Sequence, residues 1–211
     1  AIGLAATFDN QAVHETFSIV SDEARAKYHD FQRKGERDGY KGLTFWTPNI
    51  NIYRDPRWGR GQETYGEDPY LTSQMGMAVV RGLQGPEGEK YDKLHACAKH
   101  YAVHSGPEWN RHEFNAENIK PRDLYETYLP PFEALVKEGK VKEVMCAYNR
   151  YEGEPCCSNK QLLIRILRED WGYDDVVVSD CGAIGDFYYP NHHETHPTAA
   201  AASADAVVSG T

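Results

Sequence analysis

Four short apolar runs along the chain each stop abruptly at polar or charged residues. They occupy positions 44–52, 94–98, 144–147 and 176–179. The last run, Val176-Val177-Val178-Ser179, leads directly into Asp180. Continuous β-branched runs are typical of parallel strands that are covered on both faces, and in barrels of such strands the functional groups lie where the strands end. We therefore expect the polar residues after the four runs to converge on one edge of a parallel sheet.

Segments with a helical spacing of apolar residues separate the predicted strands. From Asp9 to about Lys34 apolar residues recur every three or four positions, which predicts one long amphipathic helix. Further helices are predicted at 67–85, from Pro121 onwards, at 158–168 and at 199–204. Pro130-Pro131 should kink or break the helix that begins near Pro121, and the run 206–208 should form another strand. The alternation predicts an α/β fold of βα units around a parallel sheet.

The length of the chain limits the architecture to one domain or part of one. Its 211 residues can bury a sizeable core, whereas a complete eightfold βα barrel typically needs about 250. No repeat, low-complexity tract or Gly/Ser linker interrupts the pattern. Residues 1–211 are therefore predicted to be part of a single TIM-like (β/α) barrel that is incomplete.

The composition argues against several classes of partner. A net charge of −9 without a basic patch argues against nucleic acid and anionic membranes, which require concentrated Lys and Arg. No apolar run is long enough to span a bilayer. The five cysteines form no zinc-type Cys-x-x-Cys pair, so we expect no metal site and assign no particular disulfide.

Asp180 is the first candidate for chemistry, because it is a lone carboxylate at a predicted strand end. Lys99-His100 and Tyr148 follow two other runs and would lie beside it if the strands are neighbours. The structural alternative is that Asp180 caps a helix, since Asp is a good N-cap. Lys99 and His100 have a structural alternative as well, namely an ion pair at a strand end and a hydrogen-bonded core histidine.

Taken together, the strand-end motifs resemble those of glycoside hydrolase family 3. The matching segments are 49–68, which contains Trp58-Gly59-Arg60, then Lys99-His100, then 145–149 and finally Ser179-Asp180, in this order. Four ordered motifs at compatible spacing make the resemblance specific, and it covers essentially the whole chain.

The resemblance implies a TIM-like barrel enzyme that removes sugars from the non-reducing end of β-glycosides with retention of configuration. Asp180 would be the nucleophile, Tyr148 would lie close to it, and Met145 would line the wall of the site. The sugar hydroxyls would be held by Arg60, Lys99, His100 and Arg111. The substrate would be an oligosaccharide or an aryl β-glycoside, and no cofactor is implied.

The reaction also requires groups that the chain does not provide. A retaining glycosidase needs an ionised carboxylate as nucleophile and a second, protonated carboxyl about 5–5.5 Å away. Family members usually carry this acid/base as a Glu in a downstream α/β domain, and they carry an acidic sugar-binding residue upstream of the position matching residue 1. We therefore expect a barrel truncated at both ends, and little or no activity from the 211-residue chain alone.

The residue after the nucleophile bears on the choice of sugar. Ser-Asp-Cys resembles the xylosidase-like members, whereas glucosidase-like members often have Trp after the Asp. Cys181 therefore favours a β-xylosidase, with a β-glucosidase as the alternative. A site for a pentose should be more closed around C5, and Glu108 or Trp109 could supply that closure. The Asp-Ser-His arrangement of the N-acetylhexosaminidase-like branch is absent from the loop 104–113.

A noncatalytic carbohydrate-binding barrel is the alternative from a different functional class, and the missing acid/base supports it. A phosphate-binding barrel is a weaker alternative, because no Gly-rich loop precedes a helix. The compartment follows from the substrate alone, since polysaccharide breakdown favours a periplasmic or secreted protein.

Other polar and aromatic residues have structural interpretations. Arg54, Asp55 and Arg57 are expected to lock a loop through Arg–carboxylate forks. Trp58 would either form a wall of the sugar site or cover a helix.

Two acidic or metal-like groups are also expected to be structural. Glu63, Glu67 and Asp68 are interpreted as loop and helix-start groups. The segment His192-His193-Glu194-Thr195-His196 has a metal-like composition, but we expect no metal there because it lies in a predicted loop.

Overall fold

A parallel sheet of four strands lies at the centre of the computed structural model, which describes residues 1–211. The strands of the chain span Thr44–Phe45 (β1), His95–Tyr101 (β2), Asn115–Ala116 (β3), Glu143–Cys146 (β4), Arg150–Tyr151 (β5), Glu154–Pro155 (β6) and Val176–Ser179 (β7). The parallel sheet has the order β1-β2-β4-β7, and β3, β5 and β6 form a small second sheet. Strands in chain order joined through helices are consecutive βα units. Because β1 and β7 remain edges, the α/β fold is an incomplete TIM-like barrel.

The chain also contains six α-helices. The α-helices span Ile2–Ala5 (α1), Asn10–Lys34 (α2), Pro69–Gln84 (α3), Pro121–Asp123 (α4), Pro130–Lys137 (α5) and Ala199–Val208 (α6). Two further segments, Leu124–Tyr128 and Gln161–Asp170, are π-helical. None of the helices combines the length and the apolar character needed to cross a bilayer.

Side-chain caps set the helix boundaries close to their predicted positions. Asp9 accepts a hydrogen bond from the backbone N–H of Ala12 at 2.9 Å and so begins α2. Gly35 ends α2 in the left-handed region, at a φ of 75°. Asp68 caps α3, ahead of Pro69, through the N–H of Leu71. The interpretation of Asp68 as a helix-start group is therefore confirmed.

Close helix packing fixes the outer layer on the sheet. Helix α2 packs on α3, and α3 packs in turn on α5 and β2. A Cβ atom at Gly82 would lie 2.7 Å from the carbonyl oxygen of His14, so α2 and α3 approach each other closely only because position 82 has no side chain. A Cβ atom at Gly76 would similarly meet Leu135 of α5 at 2.9 Å.

Alternate residues of the strands face two different environments. Val144 and Val177 are register partners and belong to the core shared with the helices. Lys99, Met145 and Val178 are register partners on the opposite face, which in a barrel is the interior. Because side chains alternate along a strand, Asp180, two residues after Val178, follows this interior face. The register between β2 and β4 shifts at His100.

Some secondary-structure predictions differ from the structure. The run 206–208 continues α6 and forms no strand, because the alanine-rich segment before it is already helical and its Val207 and Val208 remain exposed. Within 44–52 only Thr44–Phe45 is a strand, since the run then contains Pro48, which has no N–H to donate to a ladder. At the predicted kink or break at Pro130-Pro131 the backbone changes from π-helical to α-helical around Leu129, which itself has helical dihedral angles.

One cysteine pair is bonded, although the sequence predicts no particular pairing. Cys146, at the end of β4, forms a disulfide with Cys157, and their Cα atoms lie 5.1 Å apart. Cys97 and Cys156 are buried thiols and Cys181 is an exposed one.

Candidate active site

Asp180 lies at the carboxyl end of β7 and is buried, with 8 % of its surface exposed. Its Oδ1 accepts a hydrogen bond from the backbone N–H of Cys181 at 2.7 Å. Its Oδ2 lies 3.5 Å from Nε2 of His100 and forms no salt bridge with a lysine or an arginine. The next helical turn, Gly185–Phe187, has Ile184 as its N-cap, so the helix-cap interpretation of Asp180 does not hold.

His100 is held as a neutral imidazole at the end of β2. Its Nδ1 lies 2.9 Å from Oδ1 of Asn51, which also accepts the backbone N–H of His100 at 2.8 Å. Nη2 of Arg60 lies 3.3 Å from Nε2, so Nε2 is the acceptor and Nδ1 carries the proton. Burial, and then the charges of His104 and Arg60, hold the pKa of His100 well below its usual range. The approach of its ring to Asp180 is therefore not an ion pair.

Arg60 is clamped by two carboxylates beside His100. It forms a bidentate pair with Glu63, with Nε–Oε1 and Nη2–Oε2 distances of 2.7 and 2.8 Å. Its Nη1 also lies 3.4 Å from Oε1 of Glu108. The hydrogen bonds from Arg60 lower the pKa of Glu63. Glu63 therefore has the structural role that the sequence predicts, as a fixed partner of a loop arginine.

Glu108 links the two candidate sugar-binding arginines. The Oε1 atom that faces Arg60 also accepts a hydrogen bond from Nη1 of Arg111 at 2.6 Å. Burial alone would raise the pKa of Glu108, but hydrogen bonds from His104 and Arg111 and the charge of Arg60 hold it at about 2. The contribution of His104 is the weaker one geometrically, because its Nε2 lies 3.5 Å from Oε2 of Glu108.

Arg111 and Tyr148 form a second part of the site, which Glu108 links to Arg60. The guanidinium carbon of Arg111 lies 5.0 Å from the centre of the Tyr148 ring. The hydroxyl of Tyr148 donates to the carbonyl oxygen of Cys181 at 2.8 Å, directly after Asp180. Burial, and then the charge of Asp180, raise the pKa of Tyr148. The predicted proximity of Tyr148 to Asp180 agrees with this geometry.

Lys99 and Met145 lie on the neighbouring strands β2 and β4. They are neighbours in the register of β2 and β4, on the interior face. Met145 is buried, with 1 % of its surface exposed, whereas Lys99 is half-buried and forms no ion pair. Among the candidate sugar-binding cations, Lys99 therefore differs from Arg60 and Arg111 in pairing with no carboxylate of the protein.

A loop after β7 supports Tyr148 and Arg111 through Asp186, which sequence reasoning does not identify, and through histidines of the segment 192–196. Asp186 is buried, and its two oxygens lie 2.8 Å from Nδ1 of His112 and 2.6 Å from Nδ1 of His192. Nε2 of His193 lies 2.7 Å from the carbonyl oxygen of Tyr148. The histidines of this segment thus have separate protein partners.

The structure brings the predicted residues together in two groups joined by Glu108. Asp180, His100 and Arg60 form one group, and Arg111 with Tyr148 forms the other. Glu63 and Glu108 each stand three residues from the arginine that they pair with, which is a local signal in the sequence. Asp186 has no such signal, because His112 is 74 positions away.

The remaining sequence interpretations divide between confirmed and open. Asp55 and Arg57 form the predicted fork, with N–O distances of 2.9 and 2.6 Å, and the structure shows that it is exposed. Trp58 is 1 % exposed and packs edge-on against His104, so it is no open wall in this structure. Trp109 is 84 % exposed, whereas Glu108 of the same loop contacts the two candidate sugar-binding arginines.

Comparison with known sequences agrees with this geometry. The sequence model described as "Glycosyl hydrolase family 3 N terminal domain" matches residues 1–211. The chain is 54 % identical over 212 residues to a xylan 1,4-beta-xylosidase of Xylanibacter ruminicola, covering 100 % of the chain and 24 % of that protein. It is 43 % identical over 204 residues to beta-D-xylosidase 1 of Arabidopsis thaliana, covering 95 % of the chain and 25 % of that protein.

Solved structures with the same fold include xylosidases and glucosidases. A GH3 exo-beta-xylosidase (XlnD) in complex with a xylobiose aziridine activity-based probe has a TM-score of 0.89 and 38 % identity, over 100 % of this chain and 26 % of that one. A beta-glucosidase of Listeria innocua in complex with isofagomine has a TM-score of 0.82 and 31 % identity, over 100 % and 27 % of the two chains. The chain thus spans about a quarter of the length of the relatives that it matches.

Proposed function

Because this chain belongs to glycoside hydrolase family 3, we propose that it carries the nucleophile and the innermost sugar site of a retaining, exo-acting β-xylosidase. In this proposal residues 1–211 are part of a single TIM-like barrel, and the substrate is the non-reducing end of a β-xyloside. The two relatives quoted above as xylosidases support the choice of sugar, as does the Cys181 that follows Asp180.

The observation that carries the proposal is the distribution of carboxylates around the arginines. Glu63 and Glu108 pair with Arg60 and Arg111, whereas Asp180 pairs with neither. Asp180 is therefore a buried strand-end carboxylate whose Oδ2 is not occupied by a lysine or an arginine. A nucleophile needs this availability, because a carboxylate held in a bidentate fork has both oxygens engaged.

Asp180 would act through a double displacement. Its Oδ2 forms an ester bond to the anomeric carbon while the bond from that carbon to the leaving oxygen breaks, and a carboxylic acid protonates the leaving oxygen. A water molecule then attacks the same carbon, gives its proton to the conjugate base of that acid, and releases Asp180 as a carboxylate. We place the acid/base outside residues 1–211, in a downstream α/β domain of the whole protein.

The surrounding side chains would bind the sugar hydroxyls and fix the ring for attack. Lys99 contributes an ammonium group without a carboxylate partner, and Arg60 and Arg111 contribute two guanidinium groups that Glu108 links. Neutral His100 presents Nε2 as an acceptor, which suits a hydroxyl donor. Tyr148 closes the site beside the nucleophile, and Met145 supplies an apolar wall.

A β-glucosidase is the second candidate, because solved glucosidases share the fold. The ratio of kcat/KM for an aryl β-xyloside to that for the matching glucoside distinguishes the two. A clear preference for the xyloside supports our proposal, and equal rates on both would contradict it.

We also propose a periplasmic or secreted location, which the Cys146–Cys157 disulfide supports because disulfides persist in oxidising compartments.

The test of the mechanism is trapping of the glycosyl–enzyme ester with a 2-fluoro-xyloside, followed by mass spectrometry. The full-length protein and the 211-residue chain are compared side by side. We expect a label on Asp180 in the full-length protein and none on the shorter chain, which lacks the proposed acid/base. Retained xylose affinity with no label in either protein would favour the noncatalytic carbohydrate-binding barrel.

A further inference from the structure

A hydrogen-bonded chain of three side chains connects the loop after β7 to the sugar site. It runs from Asp186 through His112 to Arg111, which rests on the ring of Tyr148. We infer that Asp186 and His112 are positioning residues that hold the guanidinium of Arg111 in its sugar-binding orientation. The inference rests on the proposed function, because it assigns a purpose to Arg111 at that site.

The geometry of the chain is specific at each link. Oδ2 of Asp186 lies 2.8 Å from Nδ1 of His112. At the far side of the same ring, Nε2 of His112 accepts a hydrogen bond from Nε of Arg111 at 3.1 Å. The edge of the His112 ring also packs against Tyr148, with the ring centres 4.7 Å apart. Arg111 and Tyr148 thus both contact His112.

The hydrogen bonds determine the tautomer of His112. An arginine cannot accept a hydrogen bond, so Nε2 of His112 must present its lone pair to Arg111. In the neutral ring the proton then resides on Nδ1 and is donated to Asp186. Asp186 therefore selects the one neutral tautomer that Arg111 can bind, and the opposite tautomer would place two N–H groups against each other.

The same argument disfavours a metal ion at this cluster. The ligand atoms of His112, Asp186 and His192 lie within 4.8 Å of one another, which resembles a metal site in distance alone. A metal on Nδ1 of His112 would require the proton on Nε2, opposite the N–H of Arg111. His192 is better explained as the second donor to the buried Asp186, at 2.6 Å, which leaves both carboxylate oxygens satisfied.

Positioning matters for Arg111 because its other contacts do not fix it alone. Its Nη1 is held by one oxygen of Glu108, and its side chain is 36 % exposed. A single oxygen leaves the guanidinium plane free to rotate, whereas a second contact at Nε defines it. Small displacements of a substrate-positioning group can cost up to about 100-fold in rate.

The test is a double-mutant cycle in the full-length protein with His112→Phe and Arg111→Ala. Phe keeps the aromatic contact with Tyr148 but removes the acceptor for Arg111. We expect His112→Phe to lower kcat/KM about 10-fold, with the same division between KM and kcat as Arg111→Ala. In the Arg111→Ala background the same change should cost less than about 2-fold, because the contact it removes is already absent. Additive losses would overturn the inference.

Two further variants separate positioning from folding. His112→Gln places an amide oxygen where Nε2 lies, so it should recover most of the activity lost in His112→Phe. His192→Phe is the matched control, because His192 shares Asp186 but does not contact Arg111, and a smaller loss is expected. No recovery by Gln, or an equal loss at His192, contradicts the assignment.

Two readouts do not depend on turnover. A crystal structure of Asp186→Ala should show Arg111 displaced from the face of Tyr148, and an unmoved Arg111 would overturn the inference. Stoichiometric zinc in the purified protein that is lost in the Asp186 and His192 variants would replace it with a metal site. If the wild-type protein neither turns over xylosides nor labels at Asp180, the proposed function fails while the crystal structure still decides the inference.

Discussion

The two arginines of the candidate site are held in different ways. Arg60 forms a two-oxygen fork with Glu63, and its side chain is 18 % exposed. Arg111 shares a single oxygen of Glu108, leans on Tyr148 and is 36 % exposed. The partner that fixes Arg60 is three residues away in sequence. The hydrogen-bonded chain that reaches Arg111 through His112 begins at Asp186, on the loop after β7.

The difference separates a rigid side of the site from an adjustable one. On the Arg60 side, three features fix the geometry together. They are the end of β2, the hydrogen bond from the backbone N–H of His100 to Asn51, and the fork between Arg60 and Glu63. On the Arg111 side, the position depends on a loop that must itself fold correctly. We expect substitutions on the two sides to differ in size and in how far away they can act.

Replacement of Asp180, between the two sides, should have the largest effect. Asp180→Ala in the full-length protein is expected to lower kcat by at least about 10³-fold, because it removes the proposed nucleophile. Azide should then restore turnover and give a glycosyl azide of inverted configuration, since it attacks the anomeric carbon from the side vacated by the carboxylate.

The control for this variant is Asp68→Ala, which removes a helix cap and no site residue. It should alter thermal stability but not require azide. Full activity of Asp180→Ala without azide would contradict the nucleophile assignment. A wild-type protein without turnover, whose affinity for xylose is unchanged in Asp180→Ala, would favour the binding barrel.

Removal of the charge that joins the two arginines should have the next largest effect, measured as stability against pH. The pKa of Glu108 is about 2, lowered by its partners, so its contribution is present above its ordinary value near 4.5 and is lost as pH falls toward 2. A shift of this size corresponds to at most roughly 3 kcal/mol of unfolding free energy at neutral pH, and the long contact with His104 makes the expected value smaller. Glu108→Gln should therefore be less stable at pH 7, and the difference from wild type should shrink between about pH 4.5 and 2.

The exposed Glu67 offers a matched substitution for calorimetry. Glu67→Gln makes the same chemical change at the start of a helix, outside the arginine cluster. A difference between wild type and Glu108→Gln that does not depend on pH would show that Glu108 acts through packing and not through its charge.

Conservative replacement of each arginine by lysine measures the asymmetry directly. Lysine is a point charge that cannot span both oxygens of Glu63, so Arg60→Lys should lower kcat/KM about 100-fold. Arg111→Lys keeps a charge near Glu108 and should cost about 10-fold. Arg57→Lys, on the exposed fork, is the control and should leave steady-state kinetics unchanged. A larger loss at Arg111 would show that the adjustable side carries most of the sugar recognition.

Features of the fold that depend on local contacts can be predicted from the sequence, whereas features that depend on distant contacts cannot. The strand that ends at Asp180, the capped helices α2 and α3, and the parallel sheet follow from apolar periodicity and cap residues. The extension of α6 through Val208 does not, because three apolar residues fit a strand and a helix end equally well.

The site divides in the same manner. Strand-end position identifies Asp180 and His100, and the family resemblance adds Arg60 and Arg111. Neither identifies Asp186, because its pairing with His112 exists only after the loop after β7 has folded onto the loop that follows β2. The metal-like spacing of histidines at 192–196 likewise says nothing of their separate partners, which the tertiary structure assigns.

The smallest expected effect comes from a second fork that resembles the Arg60 pair in chemistry and differs in exposure. Asp55 binds Arg57 through two oxygens, as Glu63 binds Arg60, but the Arg57 side chain is 88 % exposed. Solvent and salt screen an exposed pair, so Asp55→Asn should leave the melting temperature and kcat/KM unchanged within error. Glu63→Gln, the matched change at the fork whose arginine is 18 % exposed, should raise KM, because Arg60 then loses the charge that fixes it. Equal effects at the two forks would mean that loop geometry and not burial determines how firmly an arginine is held, and Arg60 could then no longer be regarded as the rigid side of the site.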